Sequence, residues 1–274
     1  MAYLRETATV VAVEPQGEAC LLRLASPALA AAVRPFQFLL VRVPGGGFAL
    51  RRPFSVFDAR GEEVEVLIRP VGEGTARLGA VAVGEKLDLL GPLGQTFSPP
   101  AEALYVAGGV GVAGLFFAVA EEVRAGRQPE LLFGAATEAA LYGRGRLETL
   151  GVEATYVTED GSCGERGLAT EHLPGAATGQ EKLMSAAMAE TLPPYARAVV
   201  ACGPRPMYQA LFRSLGEEAR LYVVMEERMA CGVGACRGCA VPAREPEGGY
   251  LAVCQEGPVI EASRLDWLRL AEEV

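Results

Sequence analysis

His172 is the only histidine in this 274-residue sequence. That scarcity excludes a His-rich metal site and any mechanism needing two imidazoles, and His172 itself reads as a surface residue. Clustered basic residues are also missing: 25 Lys and Arg against 34 Asp and Glu give a formal net charge of −9. Binding to a phosphate backbone is driven by clustered cations. No nucleic-acid partner is therefore expected, and the acidity reads as solubility. The start of the chain, Met1 to Glu6, has no basic segment followed by an apolar run, so no secretory signal is expected. There is no internal repeat. One stretch without charge, Ala103 to Ala120, reaches 18 residues, the lower edge of a membrane-spanning helix. Gly108, Gly109, Gly111 and Gly114 interrupt it, and Glu121 and Glu122 end it. A buried strand, a glycine turn and a helix account for it, so no membrane association is expected.

Cysteine, by contrast, is present seven times. Without a secretory signal the expected compartment is the reducing cytoplasm, where cysteines serve as ligands rather than disulfides. Four of them form the pattern Cys231-x4-Cys236-x2-Cys239, followed after fourteen residues by Cys254. This is the plant-type [2Fe–2S] spacing. Such a cluster needs a tight loop that aims three thiolates at one point. Gly232, Gly234 and Gly238 let the backbone bend and bring amide N–H groups near the sulfurs. The alternative is a tetrahedral zinc site, which also takes four cysteines but more often shows paired C-x2-C knuckles; only one such pair is present. Cys20, Cys163 and Cys202 fall outside the pattern.

The remainder reads as β-barrel plus α/β. Strand-like segments at Thr7–Val13, Cys20–Leu24, Phe38–Val43, Phe54–Asp58, Val64–Arg69 and Lys86–Leu90, separated by glycines and prolines, predict a small antiparallel barrel over residues 1–98. Over residues 99–220 strands alternate with helices, which predicts a doubly wound parallel sheet. The strands are Leu104–Ala107, Leu131–Gly134, Thr155–Thr158 and Ala198–Cys202. The helices are Gly111–Ala125, Glu138–Leu150, Glu181–Glu190 and Pro206–Ala219. Residues 221–274, short and rich in glycine, need a metal staple to hold a fold.

Two motifs point to nucleotides. In Arg51-Arg52-Pro53-Phe54-Ser55, the guanidinium of Arg52 suits a pyrophosphate, Phe54 can pack on a flavin ring and Ser55 can hydrogen-bond it; a strand entry with a surface Arg is the alternative. Arg69 is a second candidate for the same phosphates. Gly74 and Thr75, at the start of a helix-like segment, can present donors to phosphate or simply cap the helix. Gly109-Val110-Gly111-Val112-Ala113-Gly114 matches G-x-G-x-x-G between a strand and a helix. The fingerprint is incomplete, since no acidic residue stands at the end of the next strand. Either the ribose is held otherwise, or the glycines only permit close packing.

Together these modules resemble the ferredoxin–NADP reductase superfamily, which pairs a flavin-binding barrel with an α/β pyridine-nucleotide domain. Arg52-Pro53-Phe54-Ser55 matches its flavin motif. Cys202-Gly203-Pro204 resembles the family segment near the nicotinamide, which implies a catalytic place for Cys202. The segment Glu227 to Cys239, with Tyr250 to Val259, is similar to the electron-transfer subunits of the NAD-linked, two-subunit dihydroorotate dehydrogenases. That resemblance implies FAD, NAD and one [2Fe–2S] cluster on Cys231, Cys236, Cys239 and Cys254. It also implies a separate FMN-containing catalytic subunit that oxidises dihydroorotate in pyrimidine (UMP) biosynthesis, assembled as a heterotetramer with two copies of each chain. Two departures stand out: Phe54 replaces the Tyr of many superfamily members, and residues 159–185 do not align. Two alternatives remain. One is a flavin and iron–sulfur subunit of a ferredoxin-dependent transhydrogenase or sulfur-linked hydrogenase; the other is a zinc-stabilised binding module.

Overall fold

Alternation organises the N-terminal part. Leu22 and Leu24, Val64, Val66 and Ile68, and Leu87 and Leu89 share one core at every second position, the period at which strand residues return to the same face, while the neighbouring Leu21 and Leu67 are buried on the other face. In the computed structural model, which describes residues 3–174, 197–244 and 249–272, these residues line a closed barrel. Its strands are β1 (Leu4–Gln16), β2 (Ala19–Ala25), β3 (Phe38–Val41), β4 (Arg52–Arg60), β5 (Glu63–Ile68) and β6 (Lys86–Leu93). They pair antiparallel in the order β1-β2-β5-β4-β3-β6. Each expected strand segment overlaps an observed one. Helices α1 (Pro27–Ala32) and α2 (Glu73–Gly79) occupy two of the connections.

The uncharged stretch divides between β7 (Leu104–Gly108) and α3 (Val112–Arg124). Residues Val112 to Ala120 of α3 are all buried, because the helix lies between the sheet and the barrel wall; a helix apolar all round needs such a place. Among the described residues no helix is long and apolar enough to cross a membrane. After β8 (Glu130–Ala135), the expected helix over 138–150 is broken into a short turn at Glu138–Ala140 and α4 (Arg144–Leu150). Leu141 and Tyr142 are buried between them, and at Gly143 a Cβ would stand 2.9 Å from the Phe57 ring. Packing against the barrel at that point prevents one continuous helix.

The sheet continues with β9 (Glu153–Thr158), β10 (Glu165–Arg166), β11 (Val199–Cys202) and β12 (Leu221–Val224), with α5 (Arg205–Leu215) between the last two. The seven strands run in the order β10-β9-β8-β7-β11-β12-β15. All pairs are parallel except that of β12 with β15 (Val259–Glu261), which is antiparallel. The chain winds from β7 outward to β9, then returns to β11 on the other side of β7. A doubly wound sheet reverses there and opens a crevice at its carboxyl ends. The helix expected at Glu181–Glu190 lies outside the described residues.

Residues assigned to the cluster segment also join this sheet, since β12 and β15 bracket them. Between these strands lie the hairpin β13 (Ala240–Pro242) with β14 (Tyr250–Ala252) and the single turn α6 (Val253–Glu256). The terminal α7 (Trp267–Glu272) follows β15. Cys239, Val241, Leu251, Cys254 and Ile260 share one core with Val199 and Leu221 of the sheet and Phe38 and Leu40 of the barrel. The Gln95 N–H, just past β6, donates to Gly257 O at 2.7 Å. The cysteine segment is thereby fastened to both other parts.

Candidate functional site: two joined cavities beside a cysteine loop

The sequence-predicted flavin residues come together. Arg52, Pro53, Phe54, Ser55, Arg69, Gly74 and Thr75 all line one cavity of about 970 Å³ between the barrel and the C-terminal segment. Antiparallel pairing sets their order: Phe54 is opposite Leu39 and Ser55 opposite Phe38. A Cβ on Gly74 would come within 3.1 Å of the Arg52 guanidinium, so the glycine lets Arg52 lie against the start of α2. That guanidinium is 5.5 Å from the centre of the Phe48 ring, and its Nη1 donates to Leu50 O at 2.8 Å. The Thr75 hydroxyl accepts the N–H groups of Val71 and Gly72 at 2.8 and 3.1 Å and donates to Gly72 O. It ties the turn whose backbone borders the cavity.

A second cavity, of about 580 Å³, runs along the carboxyl ends of β9, β8, β7 and β11. Gly108 to Gly111 and Gly203-Pro204 flank it at the switch point. The three glycines of the motif divide the work. Gly109, at φ +52 with open space where a Cβ would stand, lines the cavity. At Gly111 a Cβ would fall on the Cys202 carbonyl, and at Gly114 it would lie 2.7 Å from Cys202 Sγ. Those two glycines therefore admit α3 to the end of β11. Gly111→Ala is expected to push this helix and strand apart, at about 1–3 kcal/mol, the usual cost of overpacking; thermal unfolding of the purified protein measures it.

Cys202 itself lines neither cavity. It is wholly buried, its thiol donates to Val224 O at 3.8 Å, and burial pushes its pKa well up. The structure places it behind the motif glycines, with Gly203 and Pro204 reaching the cavity in front.

Arg69, Val110 and Glu226 border both cavities and so mark where they meet. Sequence reasoning missed Glu226. Its signal was its position just past the apolar strand β12, where a charged side chain faces a carboxyl-end crevice. The carboxylate is exposed where it opens into both cavities, with protein on the sides around it. Loss of solvent raises its pKa, against the opposing field of Arg69.

The cysteine loop begins at the larger cavity, which Glu227, Arg228 and Met229 help to line. Gly232, at φ +68, presses the loop onto the barrel; a Cβ there would be 2.7 Å from Leu40 Cδ1. Five backbone N–H groups point at sulfur. Those of Val233 and Cys236 reach Cys231 Sγ, that of Gly234 reaches Cys254 Sγ, that of Gly238 reaches Cys236 Sγ, and that of Cys254 reaches Cys239 Sγ, all at 3.2–3.5 Å. Among the described residues no three Cys, His, Asp or Glu side chains close on one metal-sized point. The loop instead sets the cysteines side by side in two pairs, the Cys236 N–H reaching Cys231 Sγ and the Cys254 N–H reaching Cys239 Sγ. Burial raises the Cys231 pKa, but the Val233 and Cys236 N–H groups outweigh it and bring it down to about 7. Burial, then the Cys239 thiol, push Cys254 up to about 12. Amide donors converging on sulfur favour thiolates and any negatively charged group held by them, so the residues present fit an iron–sulfur cluster. Cys239 and Cys254 are buried, Cys231 is partly open and Cys236 is exposed, which leaves one edge of the loop at the surface.

Residues 226–266 match the model of the iron–sulfur cluster binding domain of dihydroorotate dehydrogenase B. Among curated proteins, the dihydroorotate dehydrogenase B (NAD(+)) electron transfer subunit of Caldanaerobacter subterraneus subsp. tengcongensis is 36% identical over 235 residues, covering 84% of this chain and 86% of the relative. Its counterpart from Enterococcus faecalis is 32% identical over 241 residues, covering 85% and 86%. The fold is similar to that of an NADH-dependent reduced ferredoxin-NADP oxidoreductase, solved in a study of flavin-based electron bifurcation, with a TM-score of 0.76, 23% identity and coverage of 97% and 91%. It is also similar to a ferredoxin NADP+ reductase from Neisseria gonorrhoeae, at a TM-score of 0.61, 15% identity and coverage of 93% and 98%. Identity above 30% across most of both chains makes this protein a member of the family of dihydroorotate dehydrogenase B electron transfer subunits.

Proposed function

We propose that this chain receives electrons from dihydroorotate oxidation in a partner subunit and delivers them to NAD+, with FAD in the larger cavity, NAD in the second and a [2Fe–2S] cluster on Cys231, Cys236, Cys239 and Cys254. The observation that carries this reading is the meeting of the two cavities at Arg69, Val110 and Glu226, with the cysteine loop rising from the wall of the larger one. A cluster moves single electrons, a nicotinamide takes a hydride, and a flavin does both, so these groups together supply the conversion from one to two electrons.

The chain's own residues bind, orient and exclude water. Arg52 and Arg69 neutralise the flavin pyrophosphate, with the backbone at Gly74 and Thr75 beside it. Phe54 and Pro53 wall the ring from solvent, and the Ser55 hydroxyl hydrogen-bonds it. Gly109 lets the dinucleotide approach the start of α3, where N–H groups face its phosphates. Cys202 is a positioning residue: its carbonyl and sulfur set how near α3 comes to β11, and so where Gly109 to Gly111 stand. The exposed edge at Cys236 faces an FMN-containing catalytic subunit, in a cytoplasmic heterotetramer with two copies of each chain.

Arg52→Ala is expected to weaken FAD binding roughly tenfold to a hundredfold, the range for losing a charged hydrogen bond; FAD retained through gel filtration measures it. The whole reading is tested by mixing the anaerobically purified chain with its catalytic subunit. NAD+ reduction that depends on dihydroorotate and on both chains is the expected result. Reduction of ferredoxin with no response to dihydroorotate would instead identify a transhydrogenase subunit.

A further inference from the structure

The second cavity is asymmetric in charge. Its flavin end carries Arg69 and Glu226, which it shares with the larger cavity. Toward the far end the lining is Gly134, Ala135, Ala136 and the segment Gly167 to Thr170, and the one charged side chain there among the described residues is that of Glu159. Glu159 directly follows β9, two places from β7 in the sheet order and so roughly 10 Å from the switch point at the usual strand spacing. Its backbone N–H donates to Ala135 O at 3.0 Å, which fixes its Cα beside the end of β8.

The carboxylate of Glu159 has no hydrogen-bond or ion-pair partner among the described residues, and it is exposed. Its neighbour Asp160 differs: Asp160 Oδ1 accepts both the N–H and the hydroxyl of Ser162 and is committed to the turn. The arginines of the adjoining segments stand outside the cavity. Arg144 pairs with Glu138 and Glu148, and the alkyl part of Arg166 lies over Gly161, at 3.3 Å from where its Cβ would be. Neither lines the cavity.

We infer that Glu159 is the specificity-determining residue for the dinucleotide: it accepts hydrogen bonds from the adenosine ribose and repels a 2′-phosphate. The acidic residue that the glycine motif lacks at the end of β8 is thus supplied one strand later. Two small residues, Ala135 and Ala136, leave the space between. A carboxylate accepts from the ribose hydroxyls of a dinucleotide with a free 2′-OH. A 2′-phosphate would bring two negative charges to the same place, with no cation among the described residues lining that end to receive them.

The inference rests on the second cavity being the NAD cleft, and the experiment separates the two. Holoprotein is assayed for oxidation of NADH and of NADPH with ferricyanide, which takes electrons without the partner subunit. Binding of ADP-ribose and of 2′-phospho-ADP-ribose is measured alongside. Wild type is expected to favour NADH. Glu159→Gln is expected to raise the KM for NADH roughly tenfold with kcat nearly unchanged, and to narrow the preference. Glu159→Arg is expected to reverse it, and the two ADP-ribose probes should follow the same order. If both variants keep the wild-type NADH-to-NADPH ratio while still oxidising NADH, Glu159 does not select the dinucleotide, although the NAD cleft stands. If wild type oxidises neither nucleotide and binds neither probe, the cleft reading fails and takes this inference with it.

Discussion

Cys254→Ser is expected to abolish dihydroorotate-dependent NAD+ reduction, to below about 1% of wild type, while NADH oxidation by ferricyanide stays within about twofold. The first effect follows from the loss of one of four thiolate ligands, which a serine hydroxyl does not replace at neutral pH. The second follows from position: Cys254 lines neither of the two cavities. Visible absorption and iron and sulfide content of the variant should fall together. Stability should fall as well. Cys239 and Cys254 are buried in the same core as Val241, Leu251 and Ile260, so cluster binding and packing stabilise the same segment. Stoichiometric zinc without sulfide in the wild-type protein would overturn the cluster assignment, and dihydroorotate-dependent turnover by the variant would show that electrons take another route.

Arg124→Met is expected to destabilise the protein by about 1.5–3 kcal/mol, the range for removing a charged hydrogen-bond partner from a buried carboxylate that keeps a second cation beside it. Asp58 on β4 is 1% exposed at its side chain and pairs with Arg124 on α3. Arg60 lies 3.3 Å away, and Arg146 on α4 only reaches 4.0 Å. Arg146 is engaged by Glu65 on β5 at 2.9 Å. Beside this pair Phe57 stacks on Phe116 with centroids 4.1 Å apart. The network therefore joins the barrel, through Asp58, Glu65 and Phe57, to the parallel-sheet part, through Arg124, Arg146 and Phe116. Adding Asp58→Asn to Arg124→Met should recover part of the loss, because in the single variant the buried carboxylate has lost its strongest partner and keeps only Arg60 and the more distant Arg146. Denaturant unfolding of the two single variants and the double variant measures the coupling. NADH oxidation should fall in the Arg124 variant even where it is folded, since this junction sets how α3 sits on the barrel and hydride transfer depends on the alignment of the groups the two parts hold.

Much of the barrel was legible because its signal is local. Every second residue of Val64-Glu65-Val66-Leu67-Ile68 is buried toward one interior, and that alternation is written in adjacent letters. The cysteine loop was legible for a related reason: C-x4-C-x2-C confines three sulfurs to one loop, whatever surrounds it. The helix expected over 138–150 gives way at Gly143, whose φ of +73 is left-handed and whose missing Cβ leaves room for the Phe57 ring, some eighty residues earlier in the chain.

The sequence by itself determined the kinds of group present and the short-range geometry that holds them: a flavin-type Arg-Pro-Phe-Ser strand, a glycine turn after a buried strand, and a four-cysteine loop. Only the tertiary structure decided how these share a space. It set Cys202 behind the glycines, not in front of them. It drew residues 221–224 and 259–261 into the nucleotide sheet, which carries Glu226 to the junction of the two cavities. It also brought Glu159 to the far end of the second cavity, beside Ala135. Each of these placements depends on pairing between strands far apart in the chain, and such pairing is settled by which apolar faces can be buried together, a property of the whole fold that no short window of residues contains.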